Sequence, residues 1–201
     1  MKNKLLIMLS KSSCGKDYVV NKLVSDYNFQ PLISHTSRPR RPSEINHLSY
    51  HFVSTNEFLS MISNDEFIEY RTYNTLVDNV PDIWYYGLSK NTIDKLNTST
   101  NYVTIFDVQG AKDFIEYYGR ENCYVCMINC DDNIREERAK LRGGFSQFEW
   151  DRRLASDLVI FSKDNTNGLI DYYIDNDGTL EELNDEVKHY IDMILKEKEI
   201  I

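Results

Sequence analysis

The stretch Leu5-Leu6-Ile7-Met8-Leu9-Ser10-Lys11-Ser12-Ser13-Cys14-Gly15-Lys16-Asp17 decides the fold class of this chain. An apolar run from Leu5 to Leu9 predicts a short buried strand. Lys16 to Tyr27, with Val19, Val20, Leu23 and Val24 on one stripe, predicts a helix directly after the glycine-containing turn. The β-α rhythm then continues, with strands expected near Pro31 to Ser34, Tyr102 to Val108, Tyr124 to Asn129 and Tyr172 to Ile174. Helices are expected at Ala111 to Tyr118, Asp131 to Leu141 and Glu149 to Phe161, the last two flanking Gly143-Gly144, which reads as a hinge or flexible loop. Thr179 and Glu182 form a capping-box pattern opening a final helix that buries Leu180, Leu183, Val187, Ile191, Ile194 and Leu195. The fold class is therefore α/β, a mostly parallel sheet covered by helices.

From His35 to Ser89 the texture changes to short arginine- and aromatic-rich elements: Phe52-Val53, a helix from Glu57 to Ile62 capped by Asn56 or Thr55, and Phe67 to Tyr73. This segment reads as a semi-independent subdomain inserted into the core.

A length of 201 residues with 41% hydrophobic and 27% charged residues suits one folded domain, 1-201. Leu5 to Leu9 is too short to span a bilayer and short for a secretory segment, so no membrane partner and a cytoplasmic location are expected. Lys+Arg total 23 against 32 Asp+Glu, a formal charge of -9, whereas a duplex-binding surface needs the opposite sign. Nucleic acid is thus not an expected partner. Arginines nevertheless bunch at Arg38, Arg40, Arg41 and at Arg135, Arg138, Arg142, Arg152, Arg153, which in an acidic chain suggests small anionic ligands. Among the cysteines, Cys123 and Cys126 make a C-x-x-C pair, but they sit in a strand-like run where residues three apart point to opposite faces and cannot share a metal.

The turn after the first strand follows the phosphate-loop pattern G-x-x-x-x-G-K-[ST] in its Gly15-Lys16. Such a loop wraps a β-phosphate in successive backbone N–H groups, the helix N-terminus adds positive potential, and the lysine reaches the outer phosphates. Ser12, Ser13, Cys14, Gly15, Lys16 and Asp17 are the candidate ATP-binding residues. Two positions depart from the pattern: Ser10 replaces the first glycine, and Asp17 replaces the hydroxyl that ligates Mg²⁺, which makes Asp17 a candidate metal ligand.

Ser34-His35-Thr36-Ser37-Arg38-Pro39-Arg40-Arg41-Pro42-Ser43-Glu44-Ile45-Asn46, followed by Tyr50-His51-Phe52-Val53-Ser54, closely resembles the nucleoside-monophosphate-binding segment of guanylate kinases. Glu66-Phe67-Ile68-Glu69, Tyr85-Tyr86-Gly87, Asp107-Val108-Gln109-Gly110 and Ile174-Asp175-Asn176-Asp177 are similar to further family segments, in the family's order. The resemblance implies ATP and Mg²⁺ as cofactors and a division into core (1-34, 90-134, 155-201), monophosphate-binding subdomain (35-89) and helical lid (135-154). It implies that Arg38, Arg41, Tyr50 and Tyr86 clamp the acceptor phosphate, that Glu69 and Ser34 meet the guanine edge, and that Asp107 serves the acceptor subsite or Mg²⁺-bound water. Asn176 falls in the ATP-binding set. Lys16, Arg38, Arg138, Arg142 and Arg153 are the expected catalytic residues, the last three as lid arginines. Independently of the family, two arginines three residues apart beside tyrosine hydroxyls can fork onto one phosphate dianion.

The lid loop is shorter than the family's R-G-R-G-T-D type. Leu88 stands where the family has a hydroxyl facing guanine, Ile105 replaces one carboxylate of an Asp-x-Asp pair, and extra residues including Tyr73, Pro81 and Trp84 separate Glu69 from Tyr86. Three functions stay open on these residues: phosphorylation of GMP or dGMP, a kinase of altered base specificity, or an impaired domain that binds a phosphorylated partner. Oligomeric state is not readable.

Overall fold

The structure is a computed structural model and describes residues 5–42, 44–77, 80–97, 99–142 and 145–198. In chain order the elements are β1 (Leu5–Ser10), α1 (Lys16–Tyr27), β2 (Phe29–Pro31), β3 (His35–Thr36), β4 (His51–Phe52), α2 (Thr55–Ser63), β5 (Phe67–Val77), β6 (Val80–Ser89), α3 (Lys90–Asp94), β7 (Asn101–Ile105), α4 (Val108–Tyr118), β8 (Cys123–Asn129), α5 (Asp132–Leu141), α6 (Gln147–Ile160), α7 (Lys163–Thr166), β9 (Tyr172–Asp175) and α8 (Leu180–Lys198).

Strand β1 lies at the centre of a five-stranded sheet in the order β2-β7-β1-β8-β9, with every pair parallel. Its uninterrupted apolar sequence follows from burial on both faces. Leu6 and Met8 pack with Val19 and Leu23 of α1 and Val187, Ile191 and Ile194 of α8. Leu5, Ile7 and Leu9 pack on the opposite side with Val108, Ala111 and Phe114 of α4. Cys126 belongs to the first cluster and Cys123 to the second, the opposite-face placement expected of strand residues three apart. Among the described residues no helix is long and apolar enough to cross a membrane.

A second, four-stranded sheet has the order β4-β3-β6-β5. β3 runs parallel to β4 and antiparallel to β6, and β5 and β6 form a long antiparallel pair from Phe67↔Ser89 to Val77↔Val80. The extra residues between Glu69 and Tyr86 therefore lengthen this pair, well past the predicted end at Tyr73.

Several boundaries differ from expectation for local reasons. The strand expected at Pro31 to Ser34 is β2, ending at Pro31, with one further ladder bond from Leu32 N–H to Val103. Ser34 already belongs to the second sheet, accepting from His51 N–H. Helix α2 is capped by Ser54, not Asn56 or Thr55, because Ser54 and Glu57 satisfy each other's backbone N–H groups reciprocally. Helix α4 starts at Val108 because the Asp107 side chain caps it, and this stops β7 at Ile105. The Thr179–Glu182 box does open α8, but Leu180 is 61% exposed and lies off the buried stripe. Gly143 and Gly144, read as a hinge, lie outside the described residues.

Candidate active site

The turn from β1 into α1 holds Gly15 at φ 86 and Ser13 at φ 63, both in the left-handed region. A Cβ on Gly15 would stand 2.5 Å from Asn176 Nδ2, so glycine is required there by conformation and by space. Asn176, buried just past β9, donates to the Cys14 carbonyl at 2.8 Å and accepts from Arg138 at 3.3 Å. It thus lies under the loop as a support. Cys14 turns its side chain into the core, where burial pushes the thiol up, and its N–H donates to the Lys11 carbonyl at 3.4 Å, so with its own carbonyl held by Asn176 it departs from the expected ATP-binding set. No side chain caps α1, which leaves its first N–H groups to an anion. Lys16 is partly exposed and 3.5 Å from Asp17, whose side chain is 66% exposed.

Ser12 departs from expectation. Its N–H donates to Asp157 Oδ2 at 3.0 Å and its carbonyl accepts from Arg135 Nε at 2.7 Å, so this amide is already taken and does not face a phosphate.

Of the residues expected to meet the acceptor, Arg38, Tyr50 and Tyr86 gather at the second sheet. Arg38 is 5% exposed; its Nε donates to Tyr86 Oη at 3.0 Å, and its two Nη groups fork onto Glu44 at 3.1 and 2.6 Å. Tyr50 lies under the same guanidinium, 5.7 Å from ring centroid to Cζ, and meets Tyr86 edge-on. Glu44 also accepts the Arg41 N–H at 2.7 Å, and Arg38 holds its carboxyl below the usual carboxylate range. The Arg41 side chain is exposed and enters no ion pair among the described residues. Sequence reasoning missed Glu44 as the organiser of this clamp; its place three residues after Arg41 in a tight turn was the available signal.

Beside the clamp, Glu69 is 8% exposed on β5 and accepts the Leu88 N–H at 3.0 Å. Burial raises its carboxyl to about 7, against the opposing pull of Arg71 and the Leu88 amide. Gly110 lets the first turn of α4 approach, since a Cβ there would stand 3.2 Å from Asp107 Oδ1 and 3.4 Å from Glu69 Oε2. Arg71, also missed, bridges Asp107 at 3.4 Å and Asp113 at 2.6 Å from two residues past Glu69, on the same face of β5. Tyr73 follows and meets Tyr86 edge-on. Leu88 is wholly buried in the core beside Leu32 and Phe106, so a hydroxyl at this position would be enclosed in the core; the amide is what reaches Glu69. Ser34 sits half-buried just before β3, and Ile105 is exposed.

The expected lid arginines separate. Arg138 reaches the support under the loop through Asn176 and Cys130 Sγ. Arg142 ends α5 in solvent. Arg153 is exposed and shares Glu149 with Arg152. Arg135 is fully buried.

The family model for guanylate kinase matches residues 2–197. This chain belongs to the guanylate kinase family. It is 29% identical over 194 residues to the guanylate kinase of Neisseria gonorrhoeae, covering 94% of this chain and 87% of that protein. It is 33% identical over 145 residues to that of Bacteroides thetaiotaomicron, covering 71% and 67%. With the Pseudoalteromonas translucida guanylate kinase it shares 35% identity over 113 residues, covering 55% of this chain and about half, 51%, of that protein. The crystal structure of the guanylate kinase from Anaplasma phagocytophilum superposes with a TM-score of 0.60 at 25% identity, over 98% of this chain and 86% of that one. A gluconokinase from Sinorhizobium meliloti 1021 shares the fold alone, with a TM-score of 0.55 at 11% identity.

Within the guanylate kinase family pattern, Asp17 offers one exposed hard oxygen donor beside the loop. Mg²⁺ keeps several waters and takes substrate phosphate oxygens, so a single protein carboxylate suits it. Among the described residues no group of three or more His, Cys, Asp or Glu could hold a metal without such outside ligands.

Proposed function

We propose that the protein is an ATP-dependent nucleoside monophosphate kinase that converts GMP or dGMP to the diphosphate, acting on free nucleotides in the cytoplasm. The observation that carries this reading is the buried Arg38–Glu44 fork with Tyr50 and Tyr86, set beside the buried carboxylate of Glu69. Arg41, whose side chain is exposed, and Arg38, with the one Nη2 N–H that Tyr86, Pro39 and Glu44 leave, hold the acceptor phosphate, while Glu69 accepts guanine N1–H and N2–H, with Ser34 at the same base edge.

An acceptor phosphate oxygen bonds to the γ-phosphorus of ATP as the bridging oxygen leaves with ADP, so chemistry is positioning plus charge neutralisation. The Ser13 and Gly15 N–H groups and Lys16 cradle the donor phosphates, while Arg138, Arg142 and Arg153 neutralise the transferred group. Asn176 steadies the loop, and Asp107 orders the acceptor side. Asp17 would hold Mg²⁺, which supplies screening of the donor phosphates. In this reading residues 35-89 form the monophosphate-binding subdomain and 135-154 the lid.

A coupled assay of ADP release across a panel of nucleoside monophosphates tests the proposal. GMP and dGMP are expected to be the best acceptors and AMP poor. A preferred adenine or pyrimidine nucleotide would overturn the guanine reading, and no turnover with tight phosphopeptide binding would replace the kinase by a binding module.

A further inference from the structure

The phosphate loop lacks glycine at its first position and carries Ser13 in the left-handed region, a conformation that persists only where the surroundings over-determine it. Those surroundings come from α5 and α6. Arg135 on α5 is 0% exposed, Asp157 on α6 is buried, and the two form an ion pair. Arg135 also pairs with Asp132, and its guanidinium lies over Trp150 of α6 at 5.4 Å from the ring centroid. Between them they grip one residue by both backbone groups: Arg135 Nε donates to the Ser12 carbonyl, and Asp157 Oδ2 accepts the Ser12 N–H.

A buried ion pair is a poor source of stability, because desolvation offsets the attraction. What it supplies here is orientation, since holding the N–H and C=O of Ser12 sets the peptide planes leading into Ser13. We infer that Arg135 and Asp157 are positioning residues that shape the donor-phosphate loop, doing by tertiary contact what a glycine-rich loop sequence does locally. Arg135 is accordingly not among the arginines that meet the transferred phosphoryl group.

This inference rests on the donor-nucleotide reading of the loop. The full-length chain with Arg135→Met and Asp157→Leu together removes both charges while keeping apolar volume. Calorimetry with ADP and separately with GMP, a melting curve, and amide hydrogen exchange are then compared with the unmodified protein. The double variant should melt near the unmodified protein, bind ADP about tenfold more weakly and keep GMP affinity within about twofold. Exchange should quicken at Ser12 and Ser13 and stay unchanged in β1. Unaltered ADP affinity and exchange, or equal weakening toward ADP and GMP, would overturn the inference. If the double variant does not fold, Arg135→Lys, which keeps a positive charge opposite Asp157 but has no Nε–H to donate to the Ser12 carbonyl, is judged by the same outcomes. An unmodified protein that fails to bind ADP would instead sink the proposed function, leaving the exchange comparison to decide whether the pair holds the loop.

Discussion

Arg38 and Arg41 stand three residues apart, yet their loss should be felt differently. Arg38→Ala strands the Glu44 carboxylate, which is only 14% exposed, so stability should fall by about 3 kcal/mol in a thermal melt, along with GMP binding. Arg41→Ala removes an exposed side chain; its melting curve should match the unmodified protein to about 0.5 kcal/mol, while kcat/KM for GMP drops by roughly 2–4 kcal/mol. Equal melting curves for the two variants would contradict the clamp geometry. Glu69 carries a pH dependence of unusual sign for a carboxylate. Its folded-state value of about 7 lies above the ordinary 4.5, so the folded protein binds the extra proton between those values. Stability from this group is present at low pH and lost as pH rises toward 7, by about 3 kcal/mol in all. Glu69→Gln should therefore gain on the unmodified protein in melting temperature from pH 4.5 to 7. GMP affinity of the unmodified protein should climb over the upper part of that range as the carboxylate forms.

At the level of elements, Asp107 shows how one side chain serves two scales: it starts α4 by accepting the Gly110 N–H, and it pairs with Arg71 near Glu69, at the proposed base subsite. The capping box of α2 is simpler and remote from the chemistry. Ser54→Ala should lower stability by about 1 kcal/mol, a fall of about 2–4 °C in melting temperature, with GMP kinetics unchanged. A larger fall would mean that α2 supports the second sheet more than its single buried residue, Phe58, suggests. The strands divide in legibility. β1 was readable because burial on both faces leaves a plain apolar run. The outer half of β5 and β6 was not, since both faces there are largely exposed and polar residues such as Thr72, Asn74 and Asp82 interrupt any alternation.

Over the whole molecule, the proposed donor loop stands on the parallel sheet, and the proposed acceptor residues Arg38, Tyr86 and Glu69 stand on the second, mixed sheet. A ligand held by the clamp and Glu69 should stabilise the native state by mass action. GMP at about 100 times its Kd is expected to add about 2.7 kcal/mol and raise the melting temperature by about 5–10 °C. AMP at the same concentration should add much less, because adenine offers Glu69 no pair of N–H donors. Equal shifts for the two nucleotides would remove Glu69 as the reader of the base.

The sequence by itself determined the α/β class and the glycine turn at Gly15-Lys16, and it singled out Arg38, Tyr50 and Tyr86, which the fold does bring together, and the buried carboxylate of Glu69. These are legible because each depends on short-range spacing: apolar runs, a glycine beside a lysine, arginines within one turn. Only the tertiary structure decided that Glu44 anchors Arg38, that Arg71 bridges to Asp113 on a helix, that Leu88 packs in the core, and that Arg135 and Asp157 grip Ser12 across more than a hundred residues of chain. Buried ion pairs carry no periodicity in sequence. An arginine aimed at solvent and one aimed at a buried carboxylate are written with the same letter, and only the packing of the helices that carry them tells the two apart.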